Sequence, residues 1–260
     1  MTTNQGTVHY QFDGVIARIV FDRPAARNAM TWDMYEQLAD ACHRASAEPG
    51  LRLVTMRGAG GEAFIAGTDI AQFKRFTSGD DGVEYEAKVE AYVATVEAIP
   101  VPTLAIVEGV AVGGGVVIAA ACDLRIATSN AVFGAPIART LGNCLSIANH
   151  NRLVAGFGAS RAARMLMLAE NLGAAEAVTA GFVLAAVPPE ELDARVEQLC
   201  QQVTRNAPVT LRVSKMQAQR LKRAALPDDT DLIRLTYGSR DFQEGVDAFV
   251  GKRKPDWEGR

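Results

Sequence analysis

Residues 107–127, VEGVAVGGGVVIAAACDLRIA, decide how the chain is read. The stretch leaves an apolar strand, crosses a turn at Gly113, Gly114 and Gly115, and enters an apolar segment at residues 116–122. A second apolar run follows Asp123. Three successive glycines leave backbone N–H groups that no side chain shields. If a helix starts there, those groups lack intrahelical acceptors and carry the positive end of the helix dipole. Such a turn suits a developing negative charge, for instance the oxygen of a polarised carbonyl. Close packing of a buried helix explains the same glycines, so the stretch needs company before it implies chemistry.

The rest of the chain bounds the possibilities. It has 260 residues, 48% hydrophobic and 22% charged, as in an ordinary globular protein of one large domain or a domain with an appendage. Twenty-seven basic against 30 acidic residues give a net charge of −3. No basic patch dominates, so nucleic acid is not an expected partner. Lys252, Arg253 and Lys254 form only a short basic end. Cys42, Cys122, Cys144 and Cys200 are widely spaced, which suggests neither a disulfide framework nor a zinc site. The N-terminal MTTNQGTVHYQFDG lacks the pattern of a signal peptide, and the longest apolar run, 109–122, is too short and glycine-rich to span a bilayer. The expectation is a cytoplasmic protein with no membrane partner.

Read in order, 8–21 is a hairpin about Asp13-Gly14. Pro24 and Asn28 mark a loop, and Thr31 caps a helix to about residue 47. A strand at 51–56 follows. In FIAGTDI, 64–70, the small residues about Gly67 allow close backbone approach, and Asp69 caps a short turn. Residues 78–82 read as a mobile polar loop. The spacing of Val89, Tyr92, Val93 and Val96 predicts a helix over 83–99, on which Glu86 and Glu90 share a face. Strands are expected at 103–107, 124–127 and 131–133, a loop at 134–143, and helices at 144–155 and 160–169, the latter capped by Ser160. Further helices are expected at 174–180, 189–205, 208–223, 228–237 and 240–250. Strand-rich alternation thus gives way to helices after about residue 143, as in a mixed α/β protein.

With FDRPAARNAM, FIAGTDI, PVPTLAIVEGVAVGGGVVIAAACDLRIA, FGAPI and EGVDAFVGKRKPDW in order, the chain resembles the crotonase superfamily, the enoyl-CoA hydratase/isomerase family, over nearly its whole length. The resemblance implies a right-handed spiral of β-β-α units over 1–195. It also implies a C-terminal helical region, 196–260, that packs at a trimer interface, with trimers or hexamers the expected assemblies. The implied ligand is an acyl-CoA thioester, with coenzyme A as part of the substrate and no tightly bound cofactor or metal. CoA would lie against Ala26, Arg27 and Ala29 and against Ala66, Asp69 and Ile70, with Gly113 nearby. The thioester oxygen would sit between the amides of Thr68 and Gly114. These are main-chain donors, so threonine at 68 in place of the usual alanine need not weaken them.

The family's hydratases carry one glutamate two residues after the glycine triplet and another just after the FG-x-P turn. Here those positions are Val117 and Ile137. Neither can move a proton, and adding water to an enoyl thioester needs a base and an acid. The resemblance therefore implies a lyase- or isomerase-type enzyme that does not use two-glutamate hydration. Glu90 is the first replacement candidate, because an ungapped count back from the glycines matches it to a helical position that faces the thioester in dehalogenase relatives. A solvated helix face or a salt bridge with a neighbouring subunit is the more ordinary reading of the same residue. Cys144 is the second, active only if its thiolate is stabilised and inert if buried. His150 reads as a packed or surface histidine. The alternative is an acyl-CoA binder or scaffold without catalysis, its pocket made inert by Val117 and Ile137.

Overall fold

A computed structural model describes residues 6–224 and 226–259. Part of the N-terminal stretch read for a leader, residues 1–5, lies outside the described residues. The chain opens with the expected hairpin, β1 (Thr7–Phe12) and β2 (Ile16–Asp22). Asp13 accepts from the amides of Val15 and Ile16 to fix its turn. Thr31 accepts from Met34 N and starts α1 (Trp32–Ala47).

Three repeats of one pattern follow. β3 (Leu53–Gly58) and β4 (Ala63–Ile65) lead through a 3-10 turn, Ile70–Arg75, to α2 (Gly79–Ala98). β5 (Thr103–Val107) and β6 (Val110–Val112) lead to α3 (Gly114–Ala121). β7 (Leu124–Thr128) and β8 (Val132–Gly134) lead to α4 (Ile137–Thr140). The first strand of each pair joins a six-stranded sheet, β1-β2-β3-β5-β7-β10. The second joins a four-stranded sheet, β4-β6-β8-β9. Between successive units the strand pairings are parallel. Chain that alternates between two sheets and then pays out a helix is the expected β-β-α repeat.

The remainder comprises α5 (Ile147–Phe157), α6 (Ala159–Met167), β9 (Asn171–Gly173), α7 (Ala174–Thr179), β10 (Ala186–Val187), α8 (Leu192–Thr204), α9 (Pro208–Arg223), α10 (Thr230–Tyr237) and α11 (Arg240–Val250). Side-chain alternation along the large sheet explains its double burial. Leu53, Leu104, Ile106 and Ile126 point to Leu192, Leu199 and Val203 of α8. Val54, Met56, Ala105, Val107 and Ala127 point to the larger core with α1, α2 and α3.

Some local expectations need correction. Residues 78–82 form no loose loop. Ser78 and Asp81 make a reciprocal capping box, and α2 begins at Gly79. The expected loop 134–143 contains α4, one helical turn closed by Arg139 N to Pro136 O. Ser160 does not cap α6; Gly158 holds that position. Two short strands, β9 and β10, interrupt the helical C-terminal half.

Candidate active site

Three parallel strands of the small sheet end at one place. β4 runs into Ala66, Gly67 and Thr68, β6 into Gly113 and Gly114, and β8 into Pro136 and Ile137. All of these line a single cavity of about 170 Å³. Ligand sites in open parallel sheets favour the carboxyl ends of strands, where successive connections diverge.

The glycine turn is built for close backbone approach. Gly113 has φ 54°, a conformation that most side chains resist. Its amide donates to Gly134 O at 2.9 Å, tying the turn to β8. Gly114 is the first residue of α3. A Cβ there would stand 2.7 Å from Tyr35 Oη and 3.2 Å from Thr68 Oγ1, so a larger residue would have to displace the Tyr35 hydroxyl. Thr68 is held in turn by its side chain: Tyr35 Oη lies 2.9 Å from Thr68 Oγ1, and Tyr85 Oη donates to the same oxygen at 3.3 Å. Among the described residues, neither the Thr68 amide nor the Gly114 amide donates to a protein acceptor.

The two stretches expected to border CoA are joined by main-chain bonds. Ala66 N donates to Arg27 O, Met30 N to Gly67 O and Asp69 N to Met30 O, at 2.8–3.0 Å. Ala26 and Ala29 are half-buried beside the exposed Arg27. Ala66, Ile70 and Gly113 line the cavity. Asp69 does not; its carboxylate caps Ala71 N and pairs with Arg23 at 2.9 Å.

The cavity wall is mostly apolar, and Val117 and Ile137 both belong to it. Among the described residues, one carboxyl group lines it: Glu86 of α2, 3% exposed. Tyr237 Oη donates to Glu86 Oε1 at 2.7 Å and Ser146 N to Oε2 at 2.8 Å. Burial pushes the Glu86 carboxyl up to about 7, against the opposing pull of these two donors. Asn143 also lines the cavity and donates Nδ2 to Tyr237 Oη at 3.2 Å. Its buried Oδ1 meets no donor among the described residues, leaving an acceptor available to a ligand.

Glu90, one turn further along α2, does not line this cavity. Its carboxylate is ion-paired with the buried Arg152 of α5, which also holds Glu97 at 2.8 Å. Cys144 lies outside the wall as well, and burial pushes its thiol up to about 11, away from a thiolate. His150 is exposed on α5. Glu86 was placed on the helix by sequence but not singled out. Its signal was its place in the 82, 86, 89, 93, 96 stripe, where a carboxylate interrupts an otherwise small or apolar face.

Comparison with known proteins identifies the family. The family model described as enoyl-CoA hydratase/isomerase matches residues 11–260. The chain is 32% identical to a crotonyl-CoA hydratase of Syntrophomonas wolfei over 246 residues, which is 93% of this chain and 94% of that one. The structure of a methylmalonyl-CoA decarboxylase in complex with 2-nitronate-propionyl-CoA superposes with a TM-score of 0.89 at 26% identity, covering 97% of this chain and 98% of that one. An enoyl-CoA hydratase/carnithine racemase from Magnetospirillum magneticum gives 0.80 at 27% identity, covering 98% of both chains. The chain belongs to the enoyl-CoA hydratase/isomerase family. No described helix is long and apolar enough to cross a membrane, and no described cluster of His, Cys, Asp and Glu could hold a metal ion.

Proposed function

We propose that this protein is an enzyme acting on a short-chain acyl-CoA thioester, with the thioester oxygen received by the amides of Thr68 and Gly114. The observation that carries this reading is the pair of uncommitted amides at two glycine-bordered bends lining one apolar cavity. When the thioester becomes an enolate, negative charge collects on that oxygen. Donors held in place beforehand stabilise the transition state more than the ground state. Losing one such donor typically costs about 3 kcal/mol of barrier. The relatives support a small acyl group, crotonyl in one and a 2-nitronate-propionyl group in another, and the cavity volume suits it.

Ala26, Arg27, Ala29, Ala66 and Ile70 then flank the CoA arm, and Gly113 sets the turn. Val117 and Ile137 stand where the family's hydratases place glutamates, so water addition by that route is not the reaction proposed. The protein acts as a trimer or hexamer in a reducing compartment, which its four free cysteines suit.

The test is infrared spectroscopy of bound crotonyl-CoA carrying a 13C-labelled thioester carbonyl. Two donors lower the carbonyl stretching frequency on binding. Gly114→Ala, whose Cβ meets Tyr35 Oη, abolishes most of that shift and lowers any turnover about 100-fold. Tight binding with no frequency shift in the wild-type protein would return the chain to the non-catalytic reading. No binding at all would remove the acyl-CoA site.

A further inference from the structure

A family member that lacks both hydratase glutamates still needs a group to move a proton, and α2 supplies one. We propose that Glu86 is the proton-transferring residue of this cavity, working alone as a shuttle between two carbons of a β,γ-unsaturated short-chain acyl-CoA. The inference rests on the thioester reading above and adds a residue, an element and a substrate class to it.

The geometry carries the argument. Glu86 lines the same cavity as Thr68 and Gly114, and it is the only carboxyl group to do so among the described residues. Other buried or half-buried carboxylates nearby are committed. Glu90 and Glu97 hold Arg152, and Asp229 accepts from Ile147 N at 2.5 Å. Among the described residues, Glu86 meets no cation. Its two oxygens receive the Tyr237 hydroxyl, the Ser146 amide and the Asn149 side-chain amide, all neutral donors. These donors orient the carboxyl and support its charged form, while the apolar wall opposes that form. A group balanced in this way both takes and returns a proton at neutral pH.

One carboxyl group fits one class of reaction. Hydration needs one group for water and another for the α-carbon. Moving a double bond needs a single group that visits two carbons. Glu86 takes the proton from C2, and that C–H pair forms a C1=C2 bond while the carbonyl pair moves to the oxygen held by Thr68 and Gly114. The oxygen's pair then re-forms the carbonyl, the C1=C2 pair becomes C2=C3, and the C3=C4 pair takes the proton back from Glu86 at C4. Substrate and product are isomers, so no oxidant, reductant or water is consumed.

The charged and titratable groups around Glu86 are Tyr85 on its own helix, Tyr35 of α1, Tyr237 and Asp229 of α10 and its cap, and Cys144 before α5. The tyrosines and the cysteine are pushed upward by burial and stay neutral across the working range. The ionisation near neutrality is therefore that of Glu86.

The experiment follows conversion of 3-butenoyl-CoA to crotonyl-CoA by absorbance of the conjugated thioester, with calorimetry of crotonyl-CoA binding in parallel. Wild-type protein converts the substrate, and kcat/KM rises with pH to half its maximum near 7. Glu86→Gln loses at least 100-fold in kcat and binds crotonyl-CoA within about threefold of wild type. Tyr237→Phe removes a donor to the carboxylate, so its half-maximum moves to higher pH, an effect that a merely structural Glu86 would not produce. Wild-type protein that binds crotonyl-CoA but leaves 3-butenoyl-CoA unchanged overturns this proposal and spares the thioester reading. Glu86→Gln turnover within threefold of wild type, or a Tyr237→Phe profile that does not move, also overturns it. Wild-type protein that binds no acyl-CoA overturns both.

Discussion

Asn28 holds the loop that borders the candidate site. It is fully buried, with φ 59°, a left-handed conformation that asparagine tolerates better than other side chains. Its Oδ1 accepts from Arg23 N at 2.9 Å, and its Nδ2 donates to Ala59 O and Ala63 O at 3.0 and 2.8 Å. The side chain thus ties the loop after β2 to the entry of β4. Asn28→Ala removes a hydrogen bond from each of three main-chain groups and forces a Cβ-bearing residue to keep its φ with no side-chain bond in return. The expected loss is about 3 kcal/mol or more of unfolding free energy, read by denaturant titration. Asn28→Gly recovers about 1 kcal/mol of it, because only the conformational part is relieved. At this scale the sequence was informative in places. Asn28 was legible as a loop residue, as was Thr31 as a helix cap. The choice between Glu86 and Glu90 was not, because the two differ by one helical turn, about 6 Å of rise. An ungapped count across a loop of unknown length does not resolve that difference. What separates the two is tertiary: Arg152 comes from α5, some 60 residues away, and claims Glu90.

α2 and α10 together make the carboxyl site, and their contact depends on small residues. Gly79 of α2 packs against the Arg234 carbonyl, and a Cβ on Gly82 would overlap the Tyr237 ring. The near approach of the two helices sets the Tyr237 phenol over Glu86, one turn along from Gly82. Gly82→Ala gives α2 a better helix former but drives a methyl group into Tyr237. Overpacking of this kind costs about 1–3 kcal/mol, which exceeds the gain in propensity. The expected outcome is a lower midpoint in thermal unfolding and a pH–rate profile moved upward, as for Tyr237→Phe. A stabilised Gly82→Ala with an unmoved profile would show that the helices are held apart from the site. At element scale the long helices and the strands of the large sheet were legible, because each carries enough residues to display a period. Of the small sheet only β8 was, expected at 131–133 and found at Val132–Gly134. The strands of this sheet are three residues long, and alternation over three residues is indistinguishable from chance. Yet three of these strands end at the cavity. The sequence signal there was the glycines that follow them rather than the strands themselves.

At the scale of the whole molecule, the surface carries exposed apolar side chains on its C-terminal helices. Val209, Val213 and Met216 of α9 are exposed at spacings of four and three, so they form one stripe. Leu221 at the end of the same helix is 79% exposed, and Leu235 of α10 is 73% exposed. Large aliphatic groups left singly in water need no explanation, but a stripe along one helix with further leucines nearby marks an interaction surface. Covering each such side chain contributes about 1.5–3 kcal/mol, so a few of them repeated by symmetry suffice to hold copies together. These helices belong to the C-terminal region whose role in a trimer the family resemblance implies. Light scattering of the purified protein is expected to give a mass of three or six chains. Val213→Glu combined with Met216→Glu places two carboxylates on the stripe, where burial without a partner is strongly unfavourable, and is expected to shift that mass toward one chain. Neither residue touches the core, so circular dichroism of the double variant should keep its helical signal. A wild-type mass of one chain would refute the assembly. A double variant that stays assembled would move the interface away from α9, to the other exposed apolar side chains at Met167 and Leu168.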